Sequence, residues 1–423
     1  MRLPLAAAAV ALACACSQRP APTWHRDVQP LMAQSCGACH VEGGIAPFAL
    51  SSFQEAYSRR DLIRTQVESR RMPPWPPGPG CSEYEQDRSL PESDRATLLS
   101  WLDSGAPEGD PADAHSVSPP PSVGLSRVDR TLRLAAPYIP VESPDEYRCF
   151  LLDWPEAQTR YITGFRAVPG NPAIVHHVLA FLATPDRVAQ FQALDDADPA
   201  PGYKCFGGPG GVAQALGAWA PGSNGGDFPA DTGLRVPAGS KIILQIHYNV
   251  TGGFGRYDQT AIELKVDAAV TRTAFLLPWA NPAWVNGQAM PIPAGQADVS
   301  HSFTFAPGPY LSSITSGSIP DGPFVVYAAA LHQHLRGTRS RVEIQRASGS
   351  HECVLDIPRW DFHWQGAYAL AAPKRVERGD SLSIECHWDN SVKNQPDGIA
   401  PRDLNWGERT SDEMCLAFLY ITR

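Results

Sequence analysis

Residues 35–40 read SCGACH, a spacing of cysteine and histidine that can hold a haem group covalently. Cys36 and Cys39 are placed to form two thioether bonds with the haem vinyl groups, and the adjacent His40 can bind the iron. Half of a zinc site is the competing interpretation, but no second pair of ligands follows nearby. The motif therefore predicts one covalently bound haem c.

The second axial ligand of that iron is sought among the five methionines of the chain. Met32 lies just upstream, on the same predicted helix as the motif, and faces the wrong way. Met72 lies in RRMPPWPP, where two prolines stiffen the loop that carries the thioether, and this segment resembles many small c-type cytochromes. We predict Met72 as the ligand. The alternatives are a packing role for Met72 and ligation by His25 or His115.

Four later stretches place imidazole or thioether side chains in apolar runs: His176 and His177 in IVHHVLAF, His247 in KIILQIHYNV, His332 and His334 in AALHQHLRG, and Met414 in SDEMCLAFLYI. Taken alone, each is better explained as a core residue than as a metal ligand. Side chains two apart in a strand share a face, so His332 and His334 form a natural chelating pair. Neighbouring side chains point to opposite faces, so His176 and His177 share a metal only if the backbone leaves regular strand geometry or their rotamers differ.

The donor atoms of this set predict copper. Imidazole suits zinc and copper alike, whereas a thioether selects copper, in particular Cu(I). The five histidines and one methionine supply a three-histidine group and a group of two histidines and one methionine. We therefore predict two copper ions rather than zinc.

In combination, these motifs resemble the copper type II ascorbate-dependent monooxygenases over about residues 126–423. VHHVLAF, AWAPG at residues 218–222, LQIHYN, HQH and SDEMC stand in the order of that family. The resemblance implies two antiparallel, jelly-roll-like β-sandwich domains with one copper each, facing one another across a solvent-filled cleft. It also implies the activity, which is hydroxylation of a C–H bond with O2.

The resemblance assigns roles to individual positions. It implies that His176, His177 and His247 hold an electron-donating copper, and that His332, His334 and Met414 hold the copper that binds O2. Gln245 resembles a glutamine that the family places near the electron-donating copper, although an ordinary role in the sheet explains it equally well. The resemblance also implies two disulfides, Cys149 with Cys205 and Cys386 with Cys415. It leaves Cys81 and Cys353 without assigned partners.

The chain departs from the family at three positions that bear on the substrate. Peptide-hydroxylating members hold a substrate carboxylate at the positions that are Ala330, Leu416 and Phe418 here. In strands, Ala330 would share a face with His332 and His334, and the other two would share a face with Met414. A buried carboxylate would lack partners there. We therefore predict a small, apolar organic substrate.

Composition sets wider limits. The 423 residues exceed one typical domain, and 41 prolines and 35 glycines among short apolar runs indicate a mainly β chain with many turns. The net charge of -9, without a basic run, argues against a nucleic-acid partner. No role is assigned to His301, His351, His363 or His387. For His363 and His387, which aromatic residues flank, packing or hydrogen bonding is the better interpretation.

The first sixteen residues, MRLPLAAAAVALACAC, are typical of a secretory signal, with an arginine, a short apolar stretch and small residues at the end. Cys14 or Cys16 could instead carry the lipid of a bacterial lipoprotein. We therefore expect export to the periplasm, in free or lipid-anchored form. Six cysteines outside the signal and the haem motif, an even number, favour disulfides.

The expected architecture is mainly β, with two antiparallel β-sandwich domains preceded by a small all-α, cytochrome c-like domain. The predicted segments are a signal at 1–16, the cytochrome domain at 20–107, a proline-rich linker at 108–125, and sandwiches at 126–272 and 273–423. We expect a periplasmic donor to reduce the haem, and the haem to feed the copper centres. Two independent modules are the alternative arrangement. A non-catalytic copper and haem protein, serving electron transfer or copper binding, is the alternative function.

Overall fold

The computed structural model describes residues 20–42, 46–115, 124–220, 225–251, 253–285, 289–314, 321–362, 364–395 and 398–423. The predicted signal and residues 116–123 of the predicted linker lie outside these ranges. The chain divides into two compact units. The helical unit comprises Met1–Pro73 and Arg88–Pro121, and the sandwich unit comprises Pro74–Asp87 and Ser122–Arg423. No helix within the described ranges is long and apolar enough to cross a membrane.

The described part of the helical unit consists of helices and connecting segments. Its elements are a π-helix at Trp24–Val28, α1 at Gln29–Ser35, α2 at Phe53–Ser58, α3 at Arg60–Glu68, α4 at Glu92–Asp103 and a 3-10 turn at Pro111–Asp113. Trp24, Met32 and Trp101 are buried together, and the two tryptophan rings lie 6.0 Å apart. Met32 therefore belongs to the core of this unit.

The sandwich unit is built mainly from strands. The first ten are β1 Arg130–Arg133, β2 Asp145–Asp153, β3 Arg160–Val168, β4 Val175–Ala183, β5 Tyr203–Lys204, β6 Gln214–Trp219, β7 Gly226–Asp227, β8 Thr232–Val236, β9 Lys241–Asn249 and β10 Ala261–Asp267. They are followed by β11 Arg272–Trp279, β12 Val299–Phe305, β13 Phe324–His332, β14 Gly337–Gln345, β15 His351–Ile357, β16 Ala367–Val376, β17 Ser381–Trp388 and β18 Leu416–Thr422. The short helices are α5 Val188–Ala197, α6 Pro282–Val285, α7 Pro307–Ile314 and a 3-10 turn at Val392–Asn394.

These strands form three sheets. One has the order β5-β2-β9-β4-β6, a second has the order β12-β17-β14-β15, and the largest runs β1-β10-β3-β8-β11-β18-β13-β16, with β7 paired to β3. Neighbouring strands are antiparallel except for β8 and β11, which are parallel. The prediction of a mainly β, antiparallel chain is therefore confirmed.

Two hydrophobic cores lie between these sheets. In the first, Leu244 and Val178 of the five-stranded sheet pack with Leu264 of the large sheet. In the second, Ile384 of the four-stranded sheet packs with Leu419 of the large sheet. Each core separates two apolar sheet faces from water, which is the main source of stability in such layers. The architecture is consistent with two β-sandwiches.

The large sheet is shared by both sandwiches. Strand β8 of the first sandwich pairs directly with β11 of the second. Tyr420 of β18 is buried in the core of the first sandwich, and its hydroxyl group lies 2.8 Å from the Thr232 hydroxyl of β8. Hydrogen bonds and buried apolar contacts thus join the two sandwiches continuously.

Residues 74–87, which we call the strap, belong to the sandwich unit although they lie within the range predicted for the cytochrome domain. Glu85 N donates to Ala369 O of β16 at 2.8 Å, and Tyr84 OH donates to Val354 O of β15 at 3.2 Å. The prolines of PWPPGP disfavour a helix there. The strap instead forms backbone hydrogen bonds with the edge of β16 and with β15.

Three disulfides lie in the sandwich unit. Two have the pairings that the resemblance implies, Cys149–Cys205 and Cys386–Cys415. The third, Cys81–Cys353, joins the strap to β15 and pairs the two cysteines that the sequence left unassigned. Disulfides are typical of proteins folded in an oxidising compartment.

Candidate metal centres

The adjacent histidines of β4 occupy a β-bulge. Val175 pairs with Tyr248 of β9, and His177 pairs with His247, so that His176 is the extra residue between two regular pairs. A bulge turns a strand locally and re-aims the side chain of its inserted residue. Both histidines can therefore face one point, as the sequence required for a shared metal.

The three imidazoles of the first site, His176, His177 and His247, converge through their Nδ1 atoms. The Nδ1 atom of His176 lies 3.1 Å from that of His247 and 3.3 Å from that of His177, and the remaining separation is also 3.3 Å. The centre of such a triangle lies about 1.9 Å from each corner, close to the metal–nitrogen bond length of about 2.0 Å. This N-terminal site therefore fits one metal ion.

A carboxylate fixes the tautomer of His247. The Nε2–H group of His247 donates to Asp145 Oδ1 at 2.9 Å, and Asn249 Nδ2 donates to the same oxygen at 2.9 Å. With the proton held on Nε2, the Nδ1 lone pair is available to a metal. The Tyr147 ring stacks on the His247 ring at 4.1 Å. No sequence motif marks Asp145, which lies 102 residues from the histidine that it orients.

Electrostatics favour neutral imidazoles at the N-terminal site. Burial, followed by the neighbouring histidines, holds the pKa of His177 well below the ordinary range. Burial also lowers the pKa of His247, although the hydrogen bond to Asp145 acts in the opposite direction. Neutral imidazole is the form that binds metals.

The C-terminal site, His332, His334 and Met414, is positioned by the pairing of β13 with β18. Ala330 pairs with Phe418 and His332 pairs with Leu416. Continuing this register by two residues beyond the strands places His334 opposite Met414. The three predicted ligands and the three predicted pocket residues thus share one face, while Ala329 and Leu331 on the opposite face enter the core.

Hydrogen bonds orient both histidines of the C-terminal site. His332 Nδ1 lies 2.5 Å from Gln365 Oε1, and His334 Nδ1 lies 3.1 Å from Asp412 O. Both oxygens accept a hydrogen bond from an Nδ1–H group, so each imidazole keeps its Nε2 lone pair for a metal. The two rings lie 5.0 Å apart at right angles, and Met414 is buried.

Glu413, which precedes Met414, clamps the loops of the C-terminal site. Its carboxylate accepts from His334 N at 3.0 Å, from Arg336 N at 2.7 Å and from Trp388 Nε1 at 2.9 Å. Burial raises the pKa of Glu413 to about 7, in spite of these donors. The Cys386–Cys415 disulfide fixes Cys415, the residue that follows Met414. Sequence reasoning missed this clamp because SDEMC was considered only for its sulfur atoms.

An aromatic ring lies between the two sites. The Phe362 ring stacks on His176 at 5.0 Å and meets the His334 ring edge-on at 6.3 Å. The charges of His332 and His334 contribute to the lowered pKa of His177. The resemblance implies a solvent-filled cleft, whereas a side chain bridges the sites here. Phe362 had no sequence signal, and its neighbour His363 lies outside the described residues.

Gln245 and the pocket residues take ordinary places in their sheets. Gln245 is buried on β9, and its Nε2 donates to Cys205 O at 2.7 Å, which ties the strand to the Cys149–Cys205 disulfide. Its role beside a metal stays a prediction. Ala330, Leu416 and Phe418 are half-buried, and their apolar side chains offer no hydrogen bond or charge to a carboxylate.

The haem motif follows α1 in the helical unit. His40 Nδ1 donates to Phe48 O at 2.9 Å, which leaves Nε2 free to bind a metal. Cys36 and Cys39 form no disulfide, although the six other described cysteines are paired. Two thiols without a disulfide bond, beside an oriented imidazole, fit covalent haem attachment.

The predicted axial ligands occupy different environments. Met72 is half-buried at the end of the helical unit's first segment. His25 lies 3.6 Å from Glu108, and His115 is exposed. Ligation by Met72 stays a prediction.

The described histidines without a predicted role have local partners. His301 Nε2 donates to Pro291 O at 2.8 Å, His351 pairs with Glu343 at 2.6 Å, and His387 contacts Asp298 and Glu385. The contacts of His387 agree with its interpretation as a packing or hydrogen-bonding residue, and His301 and His351 also have local structural partners.

Comparison with known proteins gives matches along the sandwich unit. Residues 131–253 match the model of the copper type II ascorbate-dependent monooxygenase N-terminal domain, and residues 288–422 match that of its C-terminal domain. Among solved structures, the major capsid protein P2 from bacteriophage PM2 matches with a TM-score of 0.25 and 9% identity over 69% of this chain and 96% of that chain. A likeness that low supports no inference.

Three curated relatives cover the same region. Dopamine beta-hydroxylase of Canis lupus familiaris is 25% identical over 69% of this chain and 45% of that protein. Tyramine beta-hydroxylase of Caenorhabditis briggsae is 24% identical over 70% and 50%, and dopamine beta-hydroxylase of Homo sapiens is 26% identical over 61% and 42%. The chain thus spans about half the length of these relatives.

Replacing Asp145 should weaken metal binding at the N-terminal site. In Asp145→Asn the amide no longer enforces the Nε2–H tautomer of His247, so metal affinity should fall by about 10–100-fold. Titration of the metal-free protein with Cu(II) measures this. Asp298→Asn, which alters an exposed carboxylate beside His387, is the control and should keep the original affinity. Equal affinities in both variants would contradict the role of Asp145.

The metal-free protein should lose stability as the pH falls below about 6.5, the histidine pKa in an unfolded chain. The unfolded chain takes up protons there that the buried His177 and His334 do not, so the free energy of unfolding decreases. Denaturant unfolding from about pH 8 to about pH 5.5 measures the slope. His177→Leu should flatten it, whereas His351→Leu, at an exposed position, should not. A slope unchanged by His177→Leu would refute this explanation.

Proposed function

The chain belongs to the copper type II ascorbate-dependent monooxygenase family, and from this premise we propose that it is a copper-dependent monooxygenase that hydroxylates a C–H bond of an organic substrate with O2. The observation that carries the proposal is the convergence of three Nδ1 atoms in the N-terminal site, beside a second site with a different donor set. A copper carrier would need only one such site. Two unlike sites, joined through Phe362, support an enzyme.

The residues of each site fit a distinct task. When bound, copper supplies one-electron chemistry and the capacity to bind O2. The imidazoles of the N-terminal site offer nitrogen donors alone. Met414 adds a soft thioether, which favours reduced copper at the C-terminal site, where O2 would bind. Gln365 and Glu413 hold the two histidines so that little rearrangement is needed during a cycle.

The face beside the C-terminal site supports an apolar substrate. Ala330, Leu416 and Phe418 lie along the same ladder as His332 and Met414, and they offer alkyl and aromatic surface. Phe362 adds a further ring nearby. A substrate buried against this surface gains from leaving water, whereas a carboxylate would lose its hydration without compensation.

We further propose that electrons arrive through a haem c held by Cys36, Cys39 and His40, which a periplasmic donor reduces. The two unpaired thiols and the Nε2 atom freed by the hydrogen bond to Phe48 support this. Met72 is the proposed axial ligand. The three disulfides support export to an oxidising compartment, either free or lipid-anchored through Cys14 or Cys16.

Met414 should be needed for turnover. With reduced, copper-loaded protein and isotopically labelled O2, mass spectrometry should find one labelled oxygen atom in the hydroxylated product. Met414→Leu removes the sulfur but keeps the volume, so the rate should fall on the order of 100-fold or more. Met290→Leu, a buried methionine of the same sandwich, is the control and should retain the rate. Labelled product at the original rate from Met414→Leu would contradict the proposal.

The substrate preference should exclude carboxylates. Apolar hydrocarbons and arenes should be hydroxylated, while a peptide ending in free glycine should neither bind measurably nor turn over, because Ala330, Leu416 and Phe418 offer it no partner. Ala330→Arg should raise the affinity for that peptide. Competition between the two substrate classes measures the preference. Tight binding of the peptide by the unaltered protein would refute the apolar pocket.

A further inference from the structure

Three aromatic rings meet where the strap crosses the C-terminal sandwich. The Trp75 ring lies 5.3 Å from that of Tyr368 on β16 and 6.2 Å from that of Tyr84, and the two tyrosine rings lie 5.8 Å apart. Tyr84 and Tyr368 are buried, and Trp75 packs against the core. The proposed function above makes no use of this cluster.

The cluster is held in place by covalent and hydrogen bonds. Cys81 of the strap is bonded to Cys353 of β15. Glu85 N donates to Ala369 O, and Ala371 N donates to Glu83 O at 3.0 Å, so the strap pairs with the edge of β16. These attachments stabilise one position of Trp75 on Tyr368, which a surface tryptophan on a free loop would not keep.

From Tyr368 a chain of contacts leads to the C-terminal metal site. The Tyr368 hydroxyl group lies beside Gly366, where an added β-carbon would stand 3.1 Å from the hydroxyl oxygen. Gln365 directly precedes Gly366, and its Oε1 is 2.5 Å from His332 Nδ1. Ring contact, close packing and a hydrogen bond therefore connect Trp75 to a metal ligand without a gap.

In the other direction, the sequence leads to the proposed haem ligand. Trp75 follows Met72 by three residues in RRMPPWPP. Three extended residues span at most about 11 Å between Cα atoms, whatever else surrounds them. The two intervening prolines have fixed φ angles, so this short connection has few conformations.

We propose that Trp75 and Tyr368 conduct single electrons from the haem to the C-terminal metal site. In each transfer, one electron passes from ferrous haem, which becomes ferric, to cupric copper, which becomes cuprous, and no bond forms or breaks. The inference rests on the proposed function and adds which of the two coppers receives the electron from the haem. The family resemblance makes the three-histidine copper the one that donates electrons to the other copper. The strap, however, contacts β15 and β16, which lie next to the site with Met414.

Flash photoreduction of the full-length protein tests this route. Protein loaded with haem and Cu(II) is kept without O2, the haem is reduced by a light pulse, and its reoxidation is followed at the visible haem band. Copper-free protein gives the baseline. In the unaltered protein, reoxidation should be first-order and independent of protein concentration. His334→Phe should abolish the copper-dependent phase, while His177→Phe should retain it.

Substitutions in the cluster should slow that phase. Trp75→Leu and Tyr368→Leu should each reduce its rate on the order of tenfold. Trp284→Leu is the matched control, because this buried tryptophan belongs to the same core but contacts His301 and Phe303 instead. If a leucine variant does not fold, two other variants replace it. One is Tyr368→Phe, which keeps the packing and removes the hydroxyl group beside Gly366. The other combines Cys81→Ser with Cys353→Ser. Both should also slow the phase.

The outcomes separate the route from the proposed function. A copper-dependent phase that is unchanged in Trp75→Leu, or in both substitute variants, overturns the route and leaves the haem-to-copper transfer intact. Loss of the phase in His177→Phe but not in His334→Phe places the arrival at the other copper and also overturns the route. Absence of any copper-dependent phase in the unaltered, haem-loaded protein refutes the proposed electron supply itself, and the route with it.

Discussion

Three imidazole nitrogens directed at one point are the constraint on which the N-terminal site depends. Lone pairs separated by 3.1–3.3 Å repel each other unless a cation lies between them. The protein imposes this arrangement through the bulge at His176 and through Asp145, which keeps the proton of His247 on the far nitrogen. A metal ion converts the repulsion into binding energy, so metal affinity and fold are linked.

In the C-terminal site, too, hydrogen bonds leave one nitrogen of each imidazole available to a metal, but here it is the other ring nitrogen. There the Nδ1 atoms are hydrogen-bonded to Gln365 and to the Asp412 carbonyl group, which leaves the Nε2 atoms available to a metal. The site lies where β13 ends and β18 begins, so its geometry depends on strand register and on the hydrogen bonds of Glu413. The shared large sheet and Phe362 hold the two sites in one body. Donor sets of different softness in one rigid frame can keep two copper ions at different redox preferences.

The sequence predicted the parts that depend on local spacing. The adjacent histidines, HQH and the alternation around His247 indicated metal ligands because ligands close in sequence are close in space, whereas the haem that SCGACH indicates stays a prediction. It also gave the mainly β class, and the family order gave two of the disulfides. The sequence could not predict the bulge, because one inserted residue becomes visible only against its partner strand. No local pattern specifies a contact with a residue remote in sequence or the placement of a single side chain. For this reason the sequence did not predict the roles of Asp145, Glu413, Phe362 and the strap.

Counting the metals of the exported, matured protein distinguishes two copper sites from other uses of these histidines, with copper and zinc measured by elemental analysis and haem by its absorption spectrum. We expect two coppers and one haem per chain. His177→Phe and His334→Phe should each retain one copper and the haem. Protein that keeps no copper, or that holds zinc at these histidines instead, would refute the assignment of two copper sites.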